Sequence, residues 1–297
     1  MTRPHFLAGL LVTAAISGAI GYRLGRQRTD DAAPPHTVLS AATTAQRGST
    51  GTRPGLGPTA AADEDLGRQV ARASASPVYL QRLLARYRGE SEPDRKGAVL
   101  AILQAVANQD VQRFALELAA SPDPSTRRDG LALLSAYSVE EAPVRELLLR
   151  QMQQEQDPAL LETLVELLAP APLPSEDVAP MLGQLERLRQ HTDPGVRAAA
   201  VLQSAQWDKS AGVEDILQRA LLDPEPQVRG AAIAGVTSSA NRSAQIKDAL
   251  LEIASNPHSG REQRATAVFA LQNFELDRAE YQIYRDAAEA TSDEDGH

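Results

Sequence analysis

The chain has 297 residues, enough for a substantial core, and 42% of them are apolar while only 4% are aromatic, so burial must rest on Ala, Leu and Val and favours packed helices over a sheet sandwich. With no cysteine, structural disulfides, thiolate metal sites and Cys nucleophiles are excluded. The formal charge is −9, and since residues 1–28 hold four arginines and no acid, the remainder carries −13, which argues against a nucleic-acid partner.

Residues 6–22 read FLAGLLVTAAISGAIGY, seventeen uncharged residues between Arg3 and RLGRQR. This is just long enough for a membrane helix, and Ser17-Gly18-Ala19 also offers a signal-peptidase site. A retained anchor in residues 1–28, with basic flanks, is the first expectation, and a cleaved signal releasing a soluble periplasmic protein is the alternative. Segment 29–63, rich in Ala, Thr, Pro and Gly without periodicity, reads as a disordered linker. The expected localisation is the bacterial inner membrane, single-pass, with the carboxy-terminal domain in the periplasm.

Residues 64–290 are the expected solenoid domain, and from residue 92 to 290 the chain repeats itself. RKGAVLA from Arg95, RDGLALL from Arg128, RAAAVLQ from Arg197, RGAAIAG from Arg229 and RATAVFA from Arg264 are copies of one phrase, and LETLVEL from Leu161 is a degraded one. Their markers stand 33, 33, 36, 32 and 35 residues apart, the period of a solenoid of helical hairpins. Upstream of each lies Glu92-Pro93, Asp123-Pro124, Asp157-Pro158, Asp193-Pro194, Asp223-Pro224 or Asn256-Pro257. Asp or Asn caps a helix, and Pro fits its first turn, so each pair is expected to start one. Further helices are expected near 110–120, 140–152, 174–190, 211–222, 244–255 and 276–290, with one or two capping helices in 64–89.

The phrase DPGVRAAA at Asp193 resembles the HEAT-repeat family in its short, Asp-Pro-starting form. That resemblance covers residues 92–290 and implies a right-handed α-solenoid of about six helical hairpins that uses one surface for recognition. The 157 unit departs from the pattern: it lacks the Arg and is followed by APAPLP, which points to a bend or an irregular hairpin.

Candidate sites follow from the same register. Arg95, Arg128, Arg197, Arg229 and Arg264 form either a ligand-binding series or a structural ladder of ion pairs. Trp207, the single tryptophan, either plugs a junction between hairpins or anchors a partner. Tyr281 and Tyr284, near Phe269 and Phe274, either pack the last repeat or offer a partner patch. The five histidines fall in no ligand spacing, GSTGTRPGLG lacks the Lys-Ser/Thr of a phosphate loop, and no nucleophile–base pair is recognisable. No metal, cofactor or catalytic residue is assigned, and residues 291–297 are an acidic tail. The leading expectation is a non-enzymatic, membrane-tethered scaffold that binds another protein; a HEAT-like lyase or other cofactor-handling enzyme is the alternative.

Overall fold

A computed structural model describes residues 58–239 and 241–292 of the chain. Among the described residues there are fourteen helices and no strand. They are α1 (Pro58–Ala75), α2 (Pro77–Gly89), α3 (Pro93–Val106), α4 (Gln109–Ala119), α5 (Pro124–Leu134), α6 (Ala142–Gln154) and α7 (Pro158–Glu166). There follow α8 (Ser175–Leu188), α9 (Pro194–Trp207), α10 (Gly212–Leu221), α11 (Pro226–Ser238), α12 (Ala244–Ser255), α13 (Arg261–Leu271) and α14 (Arg278–Ser292).

The starts of these helices are chemically specified. Asp123 accepts from Thr126 N at 2.8 Å, Asp157 from Ala159 N at 3.0 Å, and Asp193 from Gly195 N at 2.9 Å and Val196 N at 3.1 Å, each just ahead of a Pro in the first turn. Ser76, Asn108 and Ser243 cap α2, α4 and α12 in the same way. Two of the six expected starts are corrected. Asp223-Pro224 does not open a helix: Asp223 accepts from Glu225 N at 2.9 Å, closing a turn, and α11 begins at Pro226. Asn256 likewise accepts from His258 N at 2.9 Å, and α13 begins only at Arg261.

Consecutive helices pair as hairpins from α2–α3 to α12–α13, with α1 and α14 at the ends, and the hairpins stack into a solenoid. Odd-numbered helices pack on odd-numbered ones, and most even-numbered helices on even-numbered ones. The closest approaches use residues without bulk. A Cβ on Gly130 of α5 would lie 2.7 Å from Ala119 Cα of α4, and one on Gly235 of α11 would lie 2.7 Å from Leu217 Cδ2 of α10.

The apolar interior is divided at α9. Val196, Ala200 and Trp207 belong to a core that extends back to Ala73, whereas Ala198, Val201 and Ala205 belong to a second core that extends forward to Ala287. No hairpin hides its own apolar side alone, so α9 serves as the shared wall.

The expected inner-membrane, single-pass localisation is corrected: among the described residues no helix is long and apolar enough to cross a membrane. The one described helix that reaches 18 residues, α1, carries Asp65, Arg68 and Arg72. Residues 6–22, on which the expectation of an anchor or signal rested, lie outside the described residues, as do 29–57 of the expected linker and 293–297 of the tail. α1 begins at Pro58, within the segment read as linker.

Candidate functional site

Side chains in a helix lean toward its amino terminus, so a long cationic residue at the fourth helical position lies back over the turn that precedes the helix. There it meets carbonyl groups that no helix satisfies. Arg127 of α5, Arg145 of α6, Arg197 of α9 and Arg229 of α11 all hold that position. Each uses Nη1 to donate to the two carbonyls six and five residues before it. For Arg127 these are Ser121 (3.2 Å) and Pro122 (2.9 Å), and for Arg145 Val139 (2.8 Å) and Glu140 (3.2 Å). For Arg197 they are His191 and Thr192, both at 3.0 Å, and for Arg229 Asp223 and Pro224, both at 2.8 Å.

The rest of each guanidinium reaches forward to the next repeat. Arg127 donates to Glu155 (Nε–Oε2 2.9 Å), Arg145 to Asp177 (Nη2–Oδ2 2.9 Å), Arg197 to Asp223 (Nη2–Oδ1 3.0 Å) and Arg229 to Gln263 (Nη2–Oε1 2.9 Å). The fourth residues of three more helices make the forward bond alone. Lys96 of α3 pairs with Asp129 at 3.2 Å, Lys247 of α12 with Glu280 at 2.7 Å, and Gln112 of α4 bonds Glu141. These side chains form two ladders, one for each layer of helices.

The expected arginines therefore divide. Arg197 and Arg229 are rungs. Arg128 is exposed, one residue past the true rung Arg127, and Arg95 lies one residue before Lys96 and pairs with Glu90 and Glu92 of its own turn. Arg264 occupies the fourth position of α13, with its Nε buried and without a hydrogen-bond partner. Counting three residues on from each helix-opening Pro (93, 124, 194, 226) finds Lys96, Arg127, Arg197 and Arg229, a signal that aligning on any Arg overlooks.

The same count from Pro158 gives Leu161, which is buried, so α7 contributes apolar packing in place of a cation. α9 is tied back to this unit by other means: Trp207 Nε1 donates to Leu168 O at 2.6 Å and Gln203 Nε2 to Glu166 O at 3.5 Å. At 6% exposure Trp207 fills the junction and presents no surface to a partner. In the other layer Val178 holds the fourth position of α8.

A cavity of about 180 Å³ opens between α8 and α10, over α9 and α11, at the seam between the two cores. Glu186, Arg189, Gln190, Arg219 and Asp223 line it beside apolar Val201, Ile216, Ala220 and Val228. Arg189 Nε is buried and lacks a hydrogen-bond partner. Burial pulls the Arg189 guanidinium below its ordinary pKa; Glu186 and Asp208 oppose that pull and Arg219 adds to it. Asp223 is committed elsewhere: burial would raise its pKa, but hydrogen bonds from Arg197 and Glu225 N and the charges of Arg197 and Arg229 hold it below the ordinary carboxylate range.

At the carboxy-terminal end, Phe269 and Tyr281 are 57% and 55% exposed, whereas Tyr284 and Phe274 pack against the second core. The Tyr281 and Tyr284 rings are 5.9 Å apart. Among the described residues no group of three or more His, Cys, Asp or Glu is placed to hold a metal ion.

The family described as HEAT repeats matches residues 179–272, and the chain carries HEAT repeats over that stretch, which includes the seam cavity. No curated protein matches the chain. Among solved structures it is similar to one described as the complex of CpcE and CpcF of phycocyanin lyase from Nostoc sp. PCC7120, with 14% identity, a TM-score of 0.40, and coverage of 84% of this chain and 100% of that one.

Proposed function

We propose that this HEAT-repeat chain is a non-enzymatic scaffold that binds another protein along its stacked hairpins. The observation that carries the reading is how the side chains are allocated. Charged and amide groups at the fourth helical positions are spent on joining one repeat to the next, while large apolar side chains stand in solvent. Leu222, after α10, is 65% exposed, and Val78, Phe269 and Tyr281 are exposed on helix surfaces. Apolar and aromatic side chains on a rigid helical stack supply contact area with little ordering cost.

Photo-crosslinking in cells tests this. A benzophenone side chain at Leu222 or Tyr281 should give a discrete adduct with one protein, and the same group at exposed Glu146 should not. Equal labelling at all three positions, or none at any, would overturn the scaffold reading.

A further inference from the structure

The repeat register identifies what stands on the two faces of the array that no repeat among the described residues covers. In the even-numbered layer the sixth helical position looks back to the preceding helix: Phe114, sixth in α4, meets the Tyr87 ring of α2 edge-on at 5.3 Å. Leu118, tenth in α4, and Ala249 and Ile253, sixth and tenth in α12, are buried with it. In α2 those two positions carry Arg82 and Arg86. Both are exposed, and among the described residues neither has a hydrogen-bonding or ionic partner. Val78, one turn before Arg82, is 63% exposed.

The fourth position looks forward. Where Gln112, Arg145 and Lys247 reach the next helix of this layer, α14 presents Tyr281, exposed to solvent. Around it stand the exposed acids Asp286, which accepts from Gln282 of its own helix, and Glu289, whose partner Arg285 is itself exposed at 3.6 Å.

Charge separates the two faces. Residues 66–89 hold five arginines and no acid, whereas residues 273–297 hold eight acids and two arginines. Of the five, Arg68 pairs with Asp65, Arg72 lies over the Tyr79 ring and Arg88 bonds Glu117, which leaves Arg82 and Arg86 for a partner. Guanidinium groups suit both carboxylates and the face of a tyrosine ring, and these are the groups that α14 presents.

We propose that copies of this chain associate head to tail: α14 of one copy stacks on α2 of the next, with Arg82 and Arg86 set against Tyr281, Asp286 and Glu289. The contact would extend the stacking of even-numbered helices from one chain to another. Because its two surfaces differ, it is heterologous. It goes beyond the scaffold reading and does not rest on it.

Sedimentation equilibrium of the full chain reads the contact. At about 50 mM salt the mean mass should rise with protein concentration, and at about 0.5 M salt it should fall towards the monomer, because screening weakens exposed charge pairs. Arg82→Glu with Arg86→Glu reverses the head, and Asp286→Lys with Glu289→Lys reverses the tail, all at exposed positions. Each double variant alone should remain monomeric with the circular-dichroism spectrum of the parent. Their mixture should associate again, because each supplies the face of opposite charge that the other lacks. A parent that stays monomeric, association that persists in high salt or in either variant alone, or a mixture that stays monomeric would overturn the contact. The salt dependence is read on the parent, so the test stands even where a variant fails to fold. A Leu222 adduct with a different protein, alongside a monomeric parent, keeps the scaffold and removes this contact. Salt-sensitive association without any Leu222 adduct does the reverse.

Discussion

Arg197 and Asp223 are joined by two parallel hydrogen bonds, Nε to Oδ2 at 3.2 Å and Nη2 to Oδ1 at 3.0 Å, while the same guanidinium holds the carbonyls of His191 and Thr192. One side chain therefore fixes the turn ahead of its own helix and the turn ahead of the next. Arg197→Met keeps the length of the side chain but leaves the largely buried Asp223 carboxylate with the Glu225 amide alone and two turn carbonyls without their donor, a loss of roughly 2–4 kcal/mol. Arg197→Lys should recover only part of it, because an ammonium cannot span both partners in the planar geometry of a guanidinium. Urea unfolding of the three proteins, followed by circular dichroism, measures the order.

The same pair sets a dependence on acid. Burial alone would raise the Asp223 pKa, but the Arg197 hydrogen bonds, the Glu225 amide and the charges of Arg197 and Arg229 outweigh it, so the folded value lies below the unfolded one. A carboxylate depressed in this way contributes its full stabilisation above the ordinary Asp pKa of about 4 and loses it as pH falls through the lower folded value. Asp223→Asn should therefore flatten the acid limb of stability against pH below about pH 4 and leave the slope between pH 6 and 8 unchanged. Thermal melts across that range report both slopes.

Much of the fold is legible in the sequence because HEAT-like hairpins announce themselves locally: Asp123, Asp157 and Asp193 each precede a Pro and cap the helix it starts. The two misplaced starts, at Asp223 and Asn256, fail for a reason the sequence does not display. An Asx side chain can close a turn as readily as it caps a helix, and at Asp223 the turn-closing carboxylate also receives Arg197, 26 residues away in the chain. The ladder was legible as a repeat of cations but not in its register, and the seam cavity was not legible at all, since Arg189 and Arg219 belong to no repeated phrase.

That difference in register makes a direct contrast between neighbours. Arg127 bonds Glu155, which is only 6% exposed, whereas Arg128 points into solvent. Arg127→Ala should cost roughly 2–4 kcal/mol by leaving the buried Glu155 without its cation, held only by the Gln156 and Asp157 amides, and Arg128→Ala should stay within about 0.5 kcal/mol of the parent. Chemical unfolding of the two variants separates a rung from a bystander.

Glycines offer a second contrast. A Cβ at Gly130 would come within 2.7 Å of Ala119 Cα and the Leu118 carbonyl carbon, backbone atoms that cannot rotate away, so Gly130→Ala must part α4 from α5. It should destabilise by roughly 1–3 kcal/mol. Gly183, in α8, has no atom within 4 Å of the same position, and Gly183→Ala should stabilise by about 0.5–1 kcal/mol through helix propensity alone. Opposite signs in melting temperature are the expected result.

Trp207 closes the junction where Arg is missing. Its ring belongs to the first core, its helix also carries Val201 and Ala205 of the second, and its indole N–H donates to Leu168 O at 2.6 Å. Because α9 is common to both cores, neither can lose it without exposing the other, and nearest-neighbour coupling of this kind makes a repeat array melt as one unit. Trp207 is the only tryptophan in the chain, so its fluorescence reports the seam alone while circular dichroism reports all the helices. The two midpoints should coincide in the parent. Trp207→Phe removes the donor and part of the packed volume, and should lower stability by roughly 1–3 kcal/mol. With the seam weakened, the circular-dichroism transition of this variant should broaden or split. A parent chain whose fluorescence midpoint falls well below its circular-dichroism midpoint would show instead that the two cores unfold independently.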